Sequence, residues 1–411
     1  MHLSLRGLWR ARGFRMLWVG HGISLLGSQV TFLALPLVAI ISLHATPFEM
    51  GLLGATSGIP TLLFGLLVGV WIDRHRRRPV LIATDLGRAA LLLTIPFAAI
   101  AGILHLELLL FVAFLIGILT LLFEVAAQAF LPILVPHEQL AEANSKLELG
   151  RSAAEIAGPG VAGGLVQLVT APFALLADAA SFIASALLLA GIRVAESPRP
   201  RDADSRVREE IGEGVRWVWR HPVLRPLTGA TGILAFFNSL LEAVYLLYLT
   251  RHLALAPATL GVIFALGGIG FLLGAVAAER VARRVGVGRT LILALALVGL
   301  ADLAVPLVGG PPQLIAPVLI GAQLCFGVAL TIFKVIAASL RQGSTPDRLQ
   351  GRMNATVRLL VEGLTPLGAL AGGVLGQGIG LRLTLLAAVG GELLAALWLL
   401  CSSVRKLGTP P

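Results

Sequence analysis

The feature that most constrains this chain is a series of apolar runs, each about as long as a bilayer is thick. The hydrocarbon core of a bilayer is about 30 Å thick, and a helix needs about 20 apolar residues to cross it. Only 13% of the 411 residues are charged, against roughly 25% in a soluble protein. The sequence therefore predicts an all-α membrane protein with twelve transmembrane helices: 14–42, 48–71, 79–103, 108–132, 147–168, 172–193, 227–249, 257–279, 290–309, 314–340, 352–376 and 382–403.

The basic residues are confined almost entirely to alternate connections between the predicted helices. Of the 32 Lys and Arg, 26 lie on the side of the N-terminal tail, and only Arg251 and Arg382 lie in the opposite connections. Positively charged loops stay in the cytoplasm, so we predict a multi-pass protein of a bacterial inner (plasma) membrane with cytoplasmic N- and C-termini. This topology accounts for the net charge of +10, and no nucleic-acid partner is expected.

Residues of the first half recur 210 positions later. Pro47 matches Pro257 and Gly51 matches Gly261 at this offset, and further matches follow in helices 1/7 and 5/11. Two halves with the same direction in the membrane indicate a parallel repeat about an axis along the membrane normal. We therefore predict two six-helix bundles related by pseudo-two-fold symmetry, joined by a cytoplasmic linker: 1–193, 194–226 and 227–411.

The linker contains one candidate secondary-structure element. Four apolar residues share one helical stripe: Val207, Ile211, Val215 and Val218. This stripe predicts an amphipathic helix on the cytoplasmic leaflet. Gly212 and Gly214 weaken a helix, so a plain linker remains the alternative.

The connection after helix 2 carries a motif. It reads Gly69-Val70-Trp71-Ile72-Asp73-Arg74-His75-Arg76-Arg77-Arg78-Pro79. Asp73 stands where basic residues and a helix N-terminus can bind its carboxylate; a simple positive-inside anchor would explain the arginines but not Asp73. The stretch resembles the signature loop of the major facilitator superfamily, with Trp71 and Arg76 as departures. The resemblance implies a charge network of this loop that continues into helix 3, with these members: Gly69, Asp73, Arg74, Arg77, Arg78, Asp85 and Arg88.

Helix 5 carries a second motif, Gly158-Pro159-Gly160-Val161-Ala162-Gly163-Gly164. It resembles the antiporter signature of exporters in this superfamily, here with Gly158, Pro159, Gly163 and Gly164. Close helix packing around small residues is the alternative explanation. Other stretches, such as Ala143-Asn144-Ser145, are similar to those of macrolide-efflux-type and enterobactin-exporter-type carriers. Helix 4 has Glu124 instead of the Arg that many drug:proton antiporters carry there.

Polar residues at membrane depth are costly and usually face the bundle interior. In the superfamily fold, helices 1 and 7 line the central cavity. The candidates for that cavity are His21, Ser24, Ser28, Thr31, Asn238, Glu242 and Tyr245. The candidates for proton coupling are Glu242, Glu124, Glu155 and Glu362. Asp178, Asp302 and Glu392 fall on helices 6, 9 and 12, the outer supports of that fold, and a structural role is favoured for them.

The repeat also suggests a gate. Glu124 on helix 4 and Lys334 on helix 10 occupy equivalent positions at the 210-residue offset and carry opposite charges. The resemblance implies that helices 4, 5, 10 and 11 close the cytoplasmic side, so we predict an ion pair between Glu124 and Lys334 in the closed state. The alternative is that each residue pairs within its own half.

These features predict a secondary transporter that exports amphiphilic small molecules, drug-like or macrolide-like, by proton antiport and alternating access. A lipid or siderophore exporter of the same fold is the alternative within transport. A non-transporting sensor or a membrane-embedded enzyme is the alternative from another class; the sequence shows no convergent nucleophile and base, so no enzymatic activity is expected. The expected partners are a small-molecule substrate, protons and the lipid bilayer. No cofactor or metal is expected, and the protein is expected to be a monomer.

Overall fold

The computed structural model describes residues 7–194, 196 and 207–408, and the regular structure in these residues is helical. Twelve long helices correspond to the twelve predicted ones: α1 Arg12–Leu37, α2 Pro47–Asp73, α3 Arg77–Ile100, α4 Leu106–Leu134, α5 Leu140–Val169, α6 Ala171–Ala190, α7 Leu224–Leu247, α8 Pro257–Val285, α9 Val287–Asp302, α10 Pro312–Gly343, α11 Asp347–Gly378 and α12 Leu381–Leu400. A linker helix, Val207–Arg220, precedes α7.

Ten of these helices are long and apolar enough to cross a membrane within the described residues. α2 makes eleven if its two parts, Pro47–Gly65 and Leu67–Asp73, form one span that bends by 58°. α5 is a 30-residue helix, but its first half carries Lys146, Glu148 and Arg151 and lowers its hydropathy. The structure therefore supports ten or eleven of the twelve predicted spans by length and composition.

Local signals set where α2 begins. Thr46 and Glu49 form a capping box, in which the Thr46 N–H donates to the Glu49 carboxylate (2.6 Å) and the Glu49 N–H donates to the Thr46 hydroxyl (3.3 Å). Pro47 takes the first helical position, where no backbone N–H is needed. Pro257 begins α8 in the same way, 210 residues later.

The backbone conformation repeats at the same offset. Both α1 and α7 run on into a five-residue π-helical segment: Val38–Ser42 and Tyr248–His252. Left-handed residues recur as well, His44 (φ 54°) with Ala254 (φ 53°), and Thr170 (φ 72°) with Gly380 (φ 86°). The last pair fixes the equivalence of α6 and α12 at 210 residues. The repeat predicted from the sequence is thus present in the structure.

The chain divides into two compact units. Unit 1 comprises Met1–Ala45, Thr56–Asp202 and Ala256–Gly261, and unit 2 comprises Thr46–Ala55, Ala203–Leu255 and Val262–Pro411. The first residues of α2 therefore group with unit 2, and the first residues of α8 group with unit 1.

Each unit has its own apolar core. In unit 1 the core includes Phe14, Leu81 and Phe130, from α1, α3 and α4. In unit 2 the core includes Leu295 and Phe333, from α9 and α10. The packing of these helices within each unit holds the polar residues described below in fixed positions.

The linker helix packs on α11. Its Val218 is buried against Met353, and Glu213 forms an ion pair with Arg352. A Cβ atom at Gly214 would overlap the Arg352 carbonyl, so Gly214 permits this close approach. The helix predicted in the linker is therefore present, while the preceding residues 197–206 and the side chains of Val207 and Ile211 lie outside the description.

Candidate functional site

The first residues of α3 are bound to the end of α6 and to the segment that follows α6 in unit 1. The Glu196 carboxylate accepts hydrogen bonds from the backbone N–H groups of Arg77 (2.6 Å) and Arg78 (3.0 Å) at the start of α3. The Arg78 guanidinium donates to the carbonyls of Leu189 (3.0 Å) and Ala190 at the end of α6. Both contacts place charge where the helix macrodipole favours it. Glu196 and Arg78 therefore hold α3 and α6 together.

Asp73 is less constrained than Glu196. Its side chain is 44% exposed and lies 3.9 Å from the Arg77 guanidinium. Arg74 is exposed, and a Cβ at Gly69 would meet no described atom within 4 Å. The sequence suggests that Asp73 binds a helix N-terminus, but Glu196 binds the N-terminus of α3 instead. Glu196 could not be predicted for this role, because it lies 119 residues from Arg77.

Asp85 and Arg88 lie in a separate, buried ionic group of unit 1. Arg88 is 3% exposed and pairs with Asp85, which is fully buried. The Arg88 guanidinium lies over the rings of Phe123 (4.5 Å) and Phe182 (4.1 Å), in cation–π contact with both. Asp178 on α6 also acts electrostatically on Arg88. We call Asp85, Arg88, Asp178 and the two rings the Arg88 cluster.

Two of the four polar candidates on α1, His21 and Thr31, contact the Arg88 cluster. The Thr31 hydroxyl donates to the Asp178 carboxylate, which also accepts from Ser181 (3.0 Å). His21 stacks on Phe123 with ring centroids 5.7 Å apart. Two further candidates, Ser24 and Ser28, are buried and half-buried respectively. Thr31 thus serves α1–α6 packing, and His21 lies at the edge of the Arg88 cluster.

Unit 2 contains a second buried polar group, on α7, α9 and α12. Asp302 is 4% exposed and Glu392 is fully buried; their side chains lie within interaction distance of each other. Asn238 interacts with Glu392, and Glu242 acts electrostatically on both carboxyls. Unlike Asp302 and Glu392, Glu242 is exposed. We call Asn238, Glu242, Asp302 and Glu392 the carboxyl cluster; Tyr245, the remaining α7 candidate, is buried beside Phe264.

The members of the predicted Glu124–Lys334 gate each have an electrostatic partner in their own unit. Glu124 acts on Arg88 in unit 1, and Lys334 acts on Glu242 in unit 2. These contacts do not test the gate, which stays a prediction.

The remaining coupling candidates lie on α5 and α11. Glu362 pairs with Arg358 on α11 at 2.5 Å, as their spacing suggests. Glu155 has an exposed side chain on α5, where Arg151 lies 3.9 Å from Glu148. Within the described residues, no group of three or more His, Cys, Asp or Glu side chains is arranged to hold a metal ion.

The glycine-rich motif of α5 makes close backbone contacts within unit 1. A Cβ atom at Gly163 would lie 2.5 Å from the Pro257 carbonyl oxygen and 2.7 Å from the Gly261 Cα. At Gly158 it would overlap the Gln29 side chain, whereas at Gly164 it would meet no described atom within 4 Å. Gly158 and Gly163 therefore pack tightly, and Gly164 has room for a side chain.

The same contact recurs in unit 2. A Cβ at Gly51 would lie 2.6 Å from the Cα of Gly373, and these two positions match Gly261 and Gly163 in the repeat. The two units therefore contain equivalent pairs of facing glycines, and both pairs depend on the absence of a side chain.

The fold and these intramembrane polar groups define a multi-pass membrane protein with buried ionisable side chains in both units. The structure superposes on that of a mutant of the nucleoside transporter NupG with a TM-score of 0.79, at 11% identity, over 94% of this chain and 99% of that one. A likeness at this identity shows the fold alone.

The chain also matches a family model. The model described as transmembrane secretion effector (MFS_3) covers residues 7–409, and the chain belongs to this family of the major facilitator superfamily. It is similar to the uncharacterized MFS-type transporter YfiS of Bacillus subtilis, at 27% identity over 91% of this chain and 89% of that protein. It is similar to the multidrug efflux pump Tap of Mycolicibacterium fortuitum, at 25% identity over 88% of each. Macrolide efflux protein A of Streptococcus pyogenes matches at 24% identity over 50% of this chain and 51% of that protein.

Proposed function

We propose that this transporter exports amphiphilic small molecules in exchange for protons, by alternating access. The observation that carries the proposal is Glu242, a carboxyl on a membrane-spanning helix that keeps an exposed surface and interacts with Lys334. A carboxyl at this depth is costly unless it takes up a proton or meets a cation. Glu242 can therefore hold a proton or a cationic substrate at different steps of one cycle.

The substrate class follows from the surroundings of this carboxyl. The α7 face offers one acidic group, one amide at Asn238 and the largely apolar surface of its neighbours, which suits a molecule with a small polar part and a larger apolar part. The names of two relatives, a multidrug efflux pump and a macrolide efflux protein, support export and this class.

The proposed orientation places both termini and the linker helix in the cytoplasm of a bacterial cell. It rests on the position of the basic residues: 26 lie on the side of the N-terminal tail and two lie in the opposite connections. Positive loops are retained on the cytoplasmic side. The proposed working unit is a monomer, in which each chain completes its own cycle.

Glu242→Gln is expected to abolish pH-driven accumulation of substrate while leaving exchange of substrate for substrate measurable. The amide keeps the size of the side chain but can neither bind nor release a proton at any working pH. The measurement is uptake of labelled hydrophobic compounds by everted vesicles, with and without an imposed pH gradient. Unchanged pH-driven accumulation in the variant contradicts the role of Glu242, and the absence of any gradient-driven uptake by the unmodified protein contradicts proton antiport.

A further inference from the structure

The buried polar groups of the two units occupy equivalent helices but differ in charge. The Arg88 cluster lies on α3, α4 and α6, and Thr31 of α1 donates to its Asp178. The carboxyl cluster lies on α7, α9 and α12, which are the repeat mates of α1, α3 and α6. At the 210-residue offset, Arg88 corresponds to Val298 and Phe182 corresponds to Glu392. Unit 2 thus has an aliphatic residue where unit 1 has the cation, and a carboxyl where unit 1 has a ring that covers the cation.

Because of this difference, the buried carboxyls Asp302 and Glu392 have no equivalent of Arg88, the cation that offsets the carboxylates of unit 1. Asp85 and Asp178 share Arg88. Neither Asp302 nor Glu392 has an ion-pair partner among the described residues. Burying an unpaired carboxylate costs several kcal/mol or more, so two ionised carboxylates side by side in this position are strongly disfavoured.

In the described part of the chain, the buried oxygens of Asp302 and Glu392 lack hydrogen bonds that one added proton would allow. Asp302 Oδ2 and both carboxylate oxygens of Glu392 are buried and make no hydrogen bond of good geometry within the described residues, although the two side chains lie within interaction distance. An ionised carboxylate can only accept a hydrogen bond, whereas a protonated one can also donate. One added proton turns one member of the pair into a donor and the other into its acceptor.

We propose that Asp302 and Glu392 form a buried proton-binding site, and that the charge of Glu242 couples this site to transport. One carboxyl of the pair is neutral and donates its O–H to the other, and Asn238 lies close enough to interact with Glu392. The second part of the proposal rests on the proposed function.

The coupling is electrostatic. The titratable groups that act on the pair from its neighbours are Glu242 and Tyr245 on α7, and Lys334 on α10 acts in turn on Glu242. When Glu242 is ionised, its negative charge favours retention of the proton by the pair; when it is neutralised by a proton or a cationic substrate, that effect is removed. A change of charge at the exposed carboxyl of Glu242 is thereby transmitted to the buried pair.

The first readout is the infrared carbonyl stretch of protonated carboxylic acids in the purified protein at neutral pH. We expect such a band in the unmodified protein, and we expect Glu392→Gln and Asp302→Asn each to remove it. Asp178→Asn is the matched control, because Asp178 is equally buried but lies beside Arg88, and the band should persist in this variant. Absence of the band from the unmodified protein, or its persistence in both Glu392→Gln and Asp302→Asn, overturns the proton site.

The second readout is pH-driven transport. Both variants should lower its initial rate about tenfold or more, within the usual range of coupling between sites, and leave substrate exchange measurable. A normal pH-driven rate in a variant that has lost the band overturns the coupling to transport. If the unmodified protein shows no pH-driven transport, the proposed function fails, and the infrared band still decides whether the pair binds a proton.

Discussion

Replacing Arg88 by Met is expected to reduce strongly the amount of folded protein in the membrane. The substitution keeps an unbranched apolar side chain at this position, but removes the guanidinium over Phe123 and Phe182 and leaves Asp85 and Asp178 buried without a cation. Breaking a buried ion pair by removal of one partner costs about 3–5 kcal/mol, a large part of the roughly 5–15 kcal/mol that stabilises a typical folded protein. The measurement is the yield of monodisperse protein in detergent and its thermal midpoint.

Two further variants make this prediction specific. Arg74→Met removes an exposed arginine of the same unit and should leave yield and midpoint close to those of the unmodified protein. Arg88→Met combined with Asp85→Leu removes both partners of the pair and should recover part of the loss, since a buried ion pair can often be replaced by apolar residues of similar size. A normal yield for Arg88→Met alone would show that the cation is not needed.

Gly163→Ala is expected to slow transport strongly, whereas Gly164→Ala is expected to have little effect. The methyl group at Gly163 would press on the carbonyl of Pro257 and the Cα of Gly261, and backbone atoms cannot rotate out of the way. Overpacking of this kind costs about 1–3 kcal/mol, which corresponds to a shift of about 5- to 150-fold between the conformations that a carrier must populate. At Gly164 the added methyl group meets open space.

The measurement is the initial rate of substrate accumulation, normalised to the amount of protein in the membrane. Gly51→Ala should resemble Gly163→Ala, because Gly51 makes the equivalent contact with Gly373 in unit 2. Equal rates for Gly163→Ala and Gly164→Ala would mean that the close contact is not required at any step that limits transport.

The sequence predicts the helices well because their lengths are set by the bilayer and their ends by local residues. The capping box of Thr46 and Glu49 and the proline at position 257 each act within one turn of the chain. The repeat can also be predicted from the sequence, because matched prolines and glycines give the same backbone conformations in both halves. α5 is the exception, because charged residues in its first half obscure where an apolar span would begin.

The partners of the buried charges could not be predicted in the same way. The resemblance to the signature loop implies that Arg88 continues the charge network of that loop, yet Arg88 packs against Phe182 from α6, a contact between distant parts of the sequence. Glu196 binds the start of α3 from across unit 1 for the same reason. Asp302 and Glu392 were recognised as intramembrane carboxyls, but helical periodicity places a residue on one face of its own helix and does not reveal which neighbouring helix covers it.

We propose that this protein moves a solute across a membrane at the expense of a proton gradient. The most direct measurement uses purified protein in sealed liposomes, loaded with a compound found to be accumulated by everted vesicles, and follows solute and internal pH together after a pH step. We expect solute movement to follow the imposed gradient, to be accompanied by opposite proton movement and to stop when a protonophore collapses the gradient. Solute movement that is independent of the gradient and carries no protons would contradict proton-coupled transport.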